Sequence, residues 1–142
     1  MSKLRIGFVL TGSFCTFAKV IPVIQALIER GDSVTPILSD SAGTLNTRFG
    51  TAAHWRQELT ALTGVSPIDS IVSAEPIGPK ALFDILIVAP CTGNTLARLA
   101  HGLTDTPATM AVKSHLRGER PVVLAVSTND GLSGSAANLA RC

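Results

Sequence analysis

Apolar residues follow two rhythms along this chain, and their alternation predicts its elements. Short, nearly continuous apolar runs occur at Leu4 to Leu10, Ser33 to Leu38, Ile85 to Ala89 and Val122 to Val126. Runs of that length bounded by turn residues read as strands, and the uncharged ones read as strands covered on both faces. Between the first two, Phe17, Val20, Ile21, Ile24, Leu27 and Ile28 recur at helical spacing, and Gly31 suits the stop. Pro22 lies inside that stripe, where it removes a hydrogen bond and costs about 3 kcal/mol. Either the regular helix starts near Ala18 or it is kinked there.

A second helix is expected from Thr51 to Thr63, with Ala52, Trp55, Leu59 and Leu62 on one face and Gly64 after it. Ile68 to Val72 is a short candidate strand, and Pro36 weakens the strand at Ser33 to Leu38. The stretch Ala74 to Lys80, interrupted by Pro76, Gly78 and Pro79, is expected to be irregular. Leu96, Leu99, Ala100 and Leu103 mark another helix, and Thr106 before Pro107 caps the next. From Ser135 onward a further helix has barely begun.

Strands alternating with helices at this spacing imply right-handed βαβ crossovers and a parallel sheet. The expected fold class is therefore α/β, a three-layer doubly wound parallel sheet. A length of 142 residues suits one domain over residues 1–142. The helix at Ser135 has no length left to cover a sheet, so the chain is expected to be truncated, lacking a C-terminal strand and helix. Composition sharpens the choice: 46% of residues are hydrophobic, 15% are charged, and mean hydropathy is +0.37. A membrane span needs roughly 18 uninterrupted apolar residues; the runs here have strand length, so the buried sheet explains the apolarity. The opening Met1 to Arg5 leads straight into a strand without a signal-peptide pattern. Cys15, Cys91 and Cys142 form neither a disulfide framework nor a zinc site by spacing. Both points lead us to expect a cytoplasmic protein. A net charge of +2 without a basic cluster argues against nucleic-acid partners.

In open α/β sheets ligands bind beyond the carboxyl ends of the strands, which directs attention to three loops. Thr11-Gly12-Ser13 combines a close-approach glycine, a hydroxyl and a helix N-terminus, a set that suits phosphate; the same residues also make an ordinary strand-to-helix turn. A dinucleotide G-x-G-x-x-G pattern is absent. Pro90-Cys91-Thr92-Gly93-Asn94-Thr95 places more polar groups at a helix entry than one N-cap needs. Cys91 has no neighbouring His or Lys in sequence to activate it. Ser127 to Gly131 is the third loop, and Asp130-Gly131 is equally a common turn pair. Arg48 beside Phe49 is a candidate bidentate clamp for a carboxylate, or a surface arginine. His54, His101 and His115 are isolated histidines, for which surface or core roles are the ordinary reading.

At these loops the sequence resembles the flavoprotein superfamily of flavin-dependent cysteine decarboxylases. The resemblance rests on Thr11-Gly12-Ser13 and on Ala89-Pro90-Cys91-Thr92-Gly93-Asn94-Thr95 running on to Asp105. Asn46 to Gly50, Ala74 to Lys80 and Val123 to Asp130 are similar to the B-subunit family of dipicolinate synthases. The resemblance implies a flavodoxin-like fold and flavin mononucleotide (FMN) as cofactor. It also implies homo-oligomers and a partner, the dipicolinate synthase A subunit, that brings NADP and oxidises a dihydrodipicolinate-type intermediate to dipicolinate in sporulation. By the same resemblance Thr11, Gly12, Ser13, Ser39, Thr92, Gly93, Asn94 and Thr95 would hold the flavin, and Arg48 and Asn129 would face substrate or partner. The alternatives are a stand-alone FMN-dependent decarboxylase and a non-catalytic structural component. Two departures stand out. Asp69-Ser70-Ile71 occupies the place of the decarboxylases' catalytic His, and Val126-Ser127-Thr128-Asn129 that of their Pro-x-Met-Asn motif. Without the His, decarboxylation loses its proton donor.

Overall fold

A computed structural model describes residues 3–11, 17–39 and 52–127. Its strands are β1 (Arg5–Leu10), β2 (Ser33–Leu38), β3 (Ile85–Thr92) and β4 (Val122–Ser127). All pair in parallel in the order β2-β1-β3-β4. The helices are α1 (Phe17–Glu29), α2 (Ala52–Thr63), α3 (Ile71–Ala74), α4 (Gly93–Ala100) and α5 (Pro107–Arg117), with a 3₁₀ turn at Glu75–Ile77.

The period-2 geometry of a strand sorts β1 between two cores. Ile6, Phe8 and Leu10 pack with Val20 and Ile24 of α1 and Trp55 and Leu59 of α2. Val9 turns the other way, joining Ile77, Leu86, Val88, Leu96 and Val112 beneath α3, α4 and α5. Helices thus cover both faces, and the three-layer, doubly wound, flavodoxin-like fold expected from the sequence is the one found. Each strand of the central pair feeds a helix on a different face, which makes the β1/β3 boundary the topological switch point.

The helix α1 runs through Pro22, whose ring lies on the exposed side. The proline in β2 is also accommodated. Pro36 accepts the Ile68 N–H at its carbonyl (2.9 Å), and the Leu38 N–H donates to the Ile68 carbonyl (2.8 Å). A strand residue's N and C=O point to the same side, so the nitrogen of Pro36 points away from β1 and no ladder bond is lost.

Three expectations are corrected. Ile68 to Val72 is not a strand: Ile68 makes one isolated bridge to Ile37, and Ser70 then starts α3 through a reciprocal cap with Ser73. Ala74 to Lys80 is not wholly irregular, because Pro76 falls in the first turn of the 3₁₀ segment, where its missing N–H is harmless. Leu103 is not part of α4. Gly102, at φ +70°, reverses the chain, with its N–H bonded to the Leu99 carbonyl and the Leu103 N–H to the Arg98 carbonyl. Leu103 is left about half exposed. The expected helix from Ser135 lies outside the described residues.

The stretch from Ala74 to Lys80 docks on α5 through one hydroxyl. Ser114 Oγ donates to the Glu75 carbonyl (2.6 Å) and accepts the Gly78 N–H (2.8 Å). Ala74, Ile77 and Ser114 are all buried at this seat.

Candidate functional site

Beyond the Val9↔Val88 pair, the β1/β3 ladder stops, and β3 shifts register against β4 between Val88 and Cys91. Pro90, which has no N–H to offer, lies in this bulge and is buried. A side chain closes the gap. The Thr11 hydroxyl donates to the Pro90 carbonyl (2.5 Å) and accepts the Thr92 N–H (3.1 Å). Thr11 is fully buried, so its hydroxyl joins the ends of two strands.

Thr92 in turn starts α4. Its extended backbone and side-chain oxygen make it the N-cap, accepting the Thr95 N–H (3.3 Å) and donating to the Thr95 hydroxyl (3.2 Å). Thr95 is buried, Gly93 is half-buried and Asn94 is exposed. No acidic residue occupies the first turn of α4, so the partial positive charge of its N-terminus is not offset locally. Ser39 follows β2 at the same end of the sheet, its N–H bonded to the Leu10 carbonyl (3.1 Å), and it too is buried. Thr11, Ser39, Thr92, Gly93, Asn94 and Thr95 are therefore gathered at the carboxyl ends of adjacent strands. Gly12, Ser13, Arg48 and Asn129 lie outside the described residues.

The remaining candidates have other surroundings. Cys91 is buried in the apolar cluster. Asp69 pairs with Arg56 at 2.7 Å and Ser70 caps α3, so the Asp69-Ser70 pair is engaged in structure. His54 is exposed, 3.6 Å from Glu58 and edge-on to Trp55. His101 is exposed at the far end of α4 from the strand termini. Among the described residues no cluster of His, Cys, Asp or Glu could hold a metal ion, and no helix is long and apolar enough to cross a membrane. A cleft of about 500 Å³ lies elsewhere, on the flank between α4, α5 and β4, with Leu99, Val112, Leu116 and Leu124 in its walls.

His115 is a core residue that composition did not single out. It is 1% exposed on α5, and its Nε2 lies 3.1 Å from the Pro121 carbonyl, which also accepts the Leu86 N–H. Its Nδ1 is buried without a partner. Burial, ahead of the nearby Arg120 charge, lowers its pKa, while the Pro121 bond and Asp84 oppose the shift. The unfolded chain therefore takes up a proton that the folded chain refuses, beginning near the ordinary histidine value of about 6.5. Stability is full above that pH and declines as pH falls toward the lower folded value. His115→Gln is expected to flatten this limb in thermal midpoints measured between about pH 7.5 and pH 5. An unchanged limb would assign it to other groups. The depressed carboxylates of Asp32, held by the Leu4 N–H and Arg30, and of Asp105, held by Arg98, act in a lower window. Their contributions are full above the ordinary carboxylate range and are lost below it.

A doubly wound parallel sheet with a capped helix N-terminus beside its switch point defines a class before it defines a protein. The Flavoprotein family matches residues 1–136, and the chain belongs to that family. Within it, the chain is 48% identical over 137 residues to the B subunit of dipicolinate synthase from Bacillus subtilis (strain 168), covering 96% of this chain and 68% of that protein. The crystal structure of the dipicolinate synthase B subunit from Bacillus halodurans is similar with a TM-score of 0.86 and 40% identity, covering 97% of this chain and 71% of that one. The structure of AnUbiX (PadA1) in complex with FMN and dimethylallyl pyrophosphate shares the fold, with a TM-score of 0.74 at 23% identity, covering 99% of this chain and 71% of that one. The resemblance read from the sequence is borne out.

Proposed function

We propose that the chain is the FMN-binding B subunit of a dipicolinate synthase, acting in the cytoplasm of a sporulating cell. The observation that carries this reading is the Thr92-capped N-terminus of α4, free of acidic residues in its first turn and placed at the β1/β3 switch point. Backbone N–H groups and a helix dipole at the carboxyl ends of parallel strands favour a phosphate. In this reading the Gly93-Asn94 turn receives the flavin phosphate together with Gly12 and Ser13. Thr92 and Thr95 hold that turn in shape, and Ser39 borders the site from β2. Arg48 and Asn129 face the substrate carboxylates or the partner.

A flavin supplies two-electron redox chemistry when bound. The chain's own residues contribute position: a capped helix N-terminus beside buried strand ends, in a sheet covered by apolar layers on both faces. The A subunit would bring NADP, which when bound would supply the two-electron oxidising capacity that conversion of a dihydrodipicolinate-type intermediate to dipicolinate requires. The engagement of Asp69 with Arg56 and of Ser70 in its cap gives no support to a stand-alone decarboxylase.

The test is a visible absorption spectrum of the protein alone and after excess FMN, followed by desalting. A perturbed flavin band that travels with the protein is expected. Flavin emerging entirely in the small-molecule fraction, with a free-flavin spectrum, would overturn the cofactor assignment.

A further inference from the structure

We infer that Thr11 is a positioning residue that sets the separation between the end of β1 and the first turn of α4, without itself touching the ligand; this rests on the FMN reading above. The ladder between β1 and β3 ends at Val9↔Val88, and before Cys91 the other side of β3 shifts its register against β4. From there to Thr92, the two strands need a donor and an acceptor that regular pairing does not supply. The Thr11 oxygen supplies both, giving its proton to the Pro90 carbonyl and receiving the Thr92 N–H. Thr92 passes the constraint on, because its own hydroxyl holds both the N–H and the hydroxyl of Thr95. A continuous relay thus runs from β1 through Thr11 and Thr92 to Thr95 in the first turn of α4. Thr11 is 0% exposed, so its influence on a ligand passes through the turn that it places.

Valine matches threonine in shape but has no hydroxyl. In Thr11→Val the Thr92 N–H and the Pro90 carbonyl lose their partner in a buried setting. FMN affinity, titrated by flavin fluorescence at a temperature where circular dichroism shows every variant folded, is expected to fall about tenfold or more. Thr11→Ser keeps the hydroxyl and is expected to stay within about threefold of the wild type, since only packing is changed. Thr11→Ala replaces the valine variant if that one does not fold. Equal affinity in folded Thr11→Val (or Thr11→Ala) and wild type would overturn the inference. So would a tenfold loss in Thr11→Ser, which would assign the effect to the methyl group. A wild type that binds no FMN is a separate outcome, one that removes the cofactor reading and this inference with it.

Discussion

Gly78→Ala is expected to lower the thermal midpoint by about 10 °C. A Cβ at Gly78 would lie 1.9 Å from the Ser114 carbonyl oxygen and 2.7 Å from its carbonyl carbon. Ordinary carbon–oxygen contacts are about 3.3 Å or longer, and a helix backbone does not yield by that much. The turn must therefore leave α5, breaking the bonds from Ser114 to Glu75 and from Gly78 to Ser114. Ala74 and Ile77 would be drawn out of the core with it. Overpacking alone costs about 1–3 kcal/mol, and two broken buried hydrogen bonds bring the expected total to about 3 kcal/mol or more. Ser114→Ala, which removes the hydroxyl and adds no clash, should cost about 1–2 kcal/mol. Thermal or urea denaturation of both variants measures the difference. A Gly78→Ala protein with the wild-type midpoint would show that the turn is not seated on α5.

The second large effect concerns the proposed cofactor and separates binding from stability by sign. Asn94 is exposed in the first turn of α4. Asn94→Asp places a carboxylate where it interacts favourably with the helix dipole, so the flavin-free protein should be unchanged or stabilised by about 0.3–1 kcal/mol. A phosphate of about −1.5 to −2 charge approaching the same turn meets repulsion instead. FMN affinity is expected to fall about ten- to hundredfold in low salt, and the deficit should shrink as ionic strength rises. Parallel melting curves and FMN titrations read the two effects. Undiminished FMN binding in Asn94→Asp would place the phosphate away from α4.

The fold was legible because its strands are short and apolar and its helices carry plain punctuation. Gly31 ended α1, Thr106 and Pro107 opened α5, and the run at Ile85 marked the central strand. Errors fell where local chemistry competes with apolar pattern. Ile68 to Val72 has the composition of a strand, but the Ser70–Ser73 cap gives its backbone a helical alternative with better-satisfied ends. Leu103 continued the spacing of Leu96 and Leu99, yet a left-handed Gly102 had already turned the chain. The site was legible as loops but not as contacts. That a threonine at the end of β1 completes the pairing of a bulged strand distant in sequence depends on a register shift, which spacing does not record. The burial of His115 was equally hidden, since the polar neighbours of a helical residue say little about which face it occupies.

Pro36 and Ile68 have a consequence for how molecules of this protein meet one another. Strand addition requires an unbroken row of donors and acceptors along a free margin. On the outer side of β2, Pro36 has no donor to give, its carbonyl is taken by Ile68, and the next donor, from Leu38, is taken as well. An extended segment from a neighbouring molecule approaching this margin meets an interrupted row from Pro36 onward. A residue that weakened the case for a strand thus acts as a gatekeeper against edge-to-edge aggregation of a very apolar sheet.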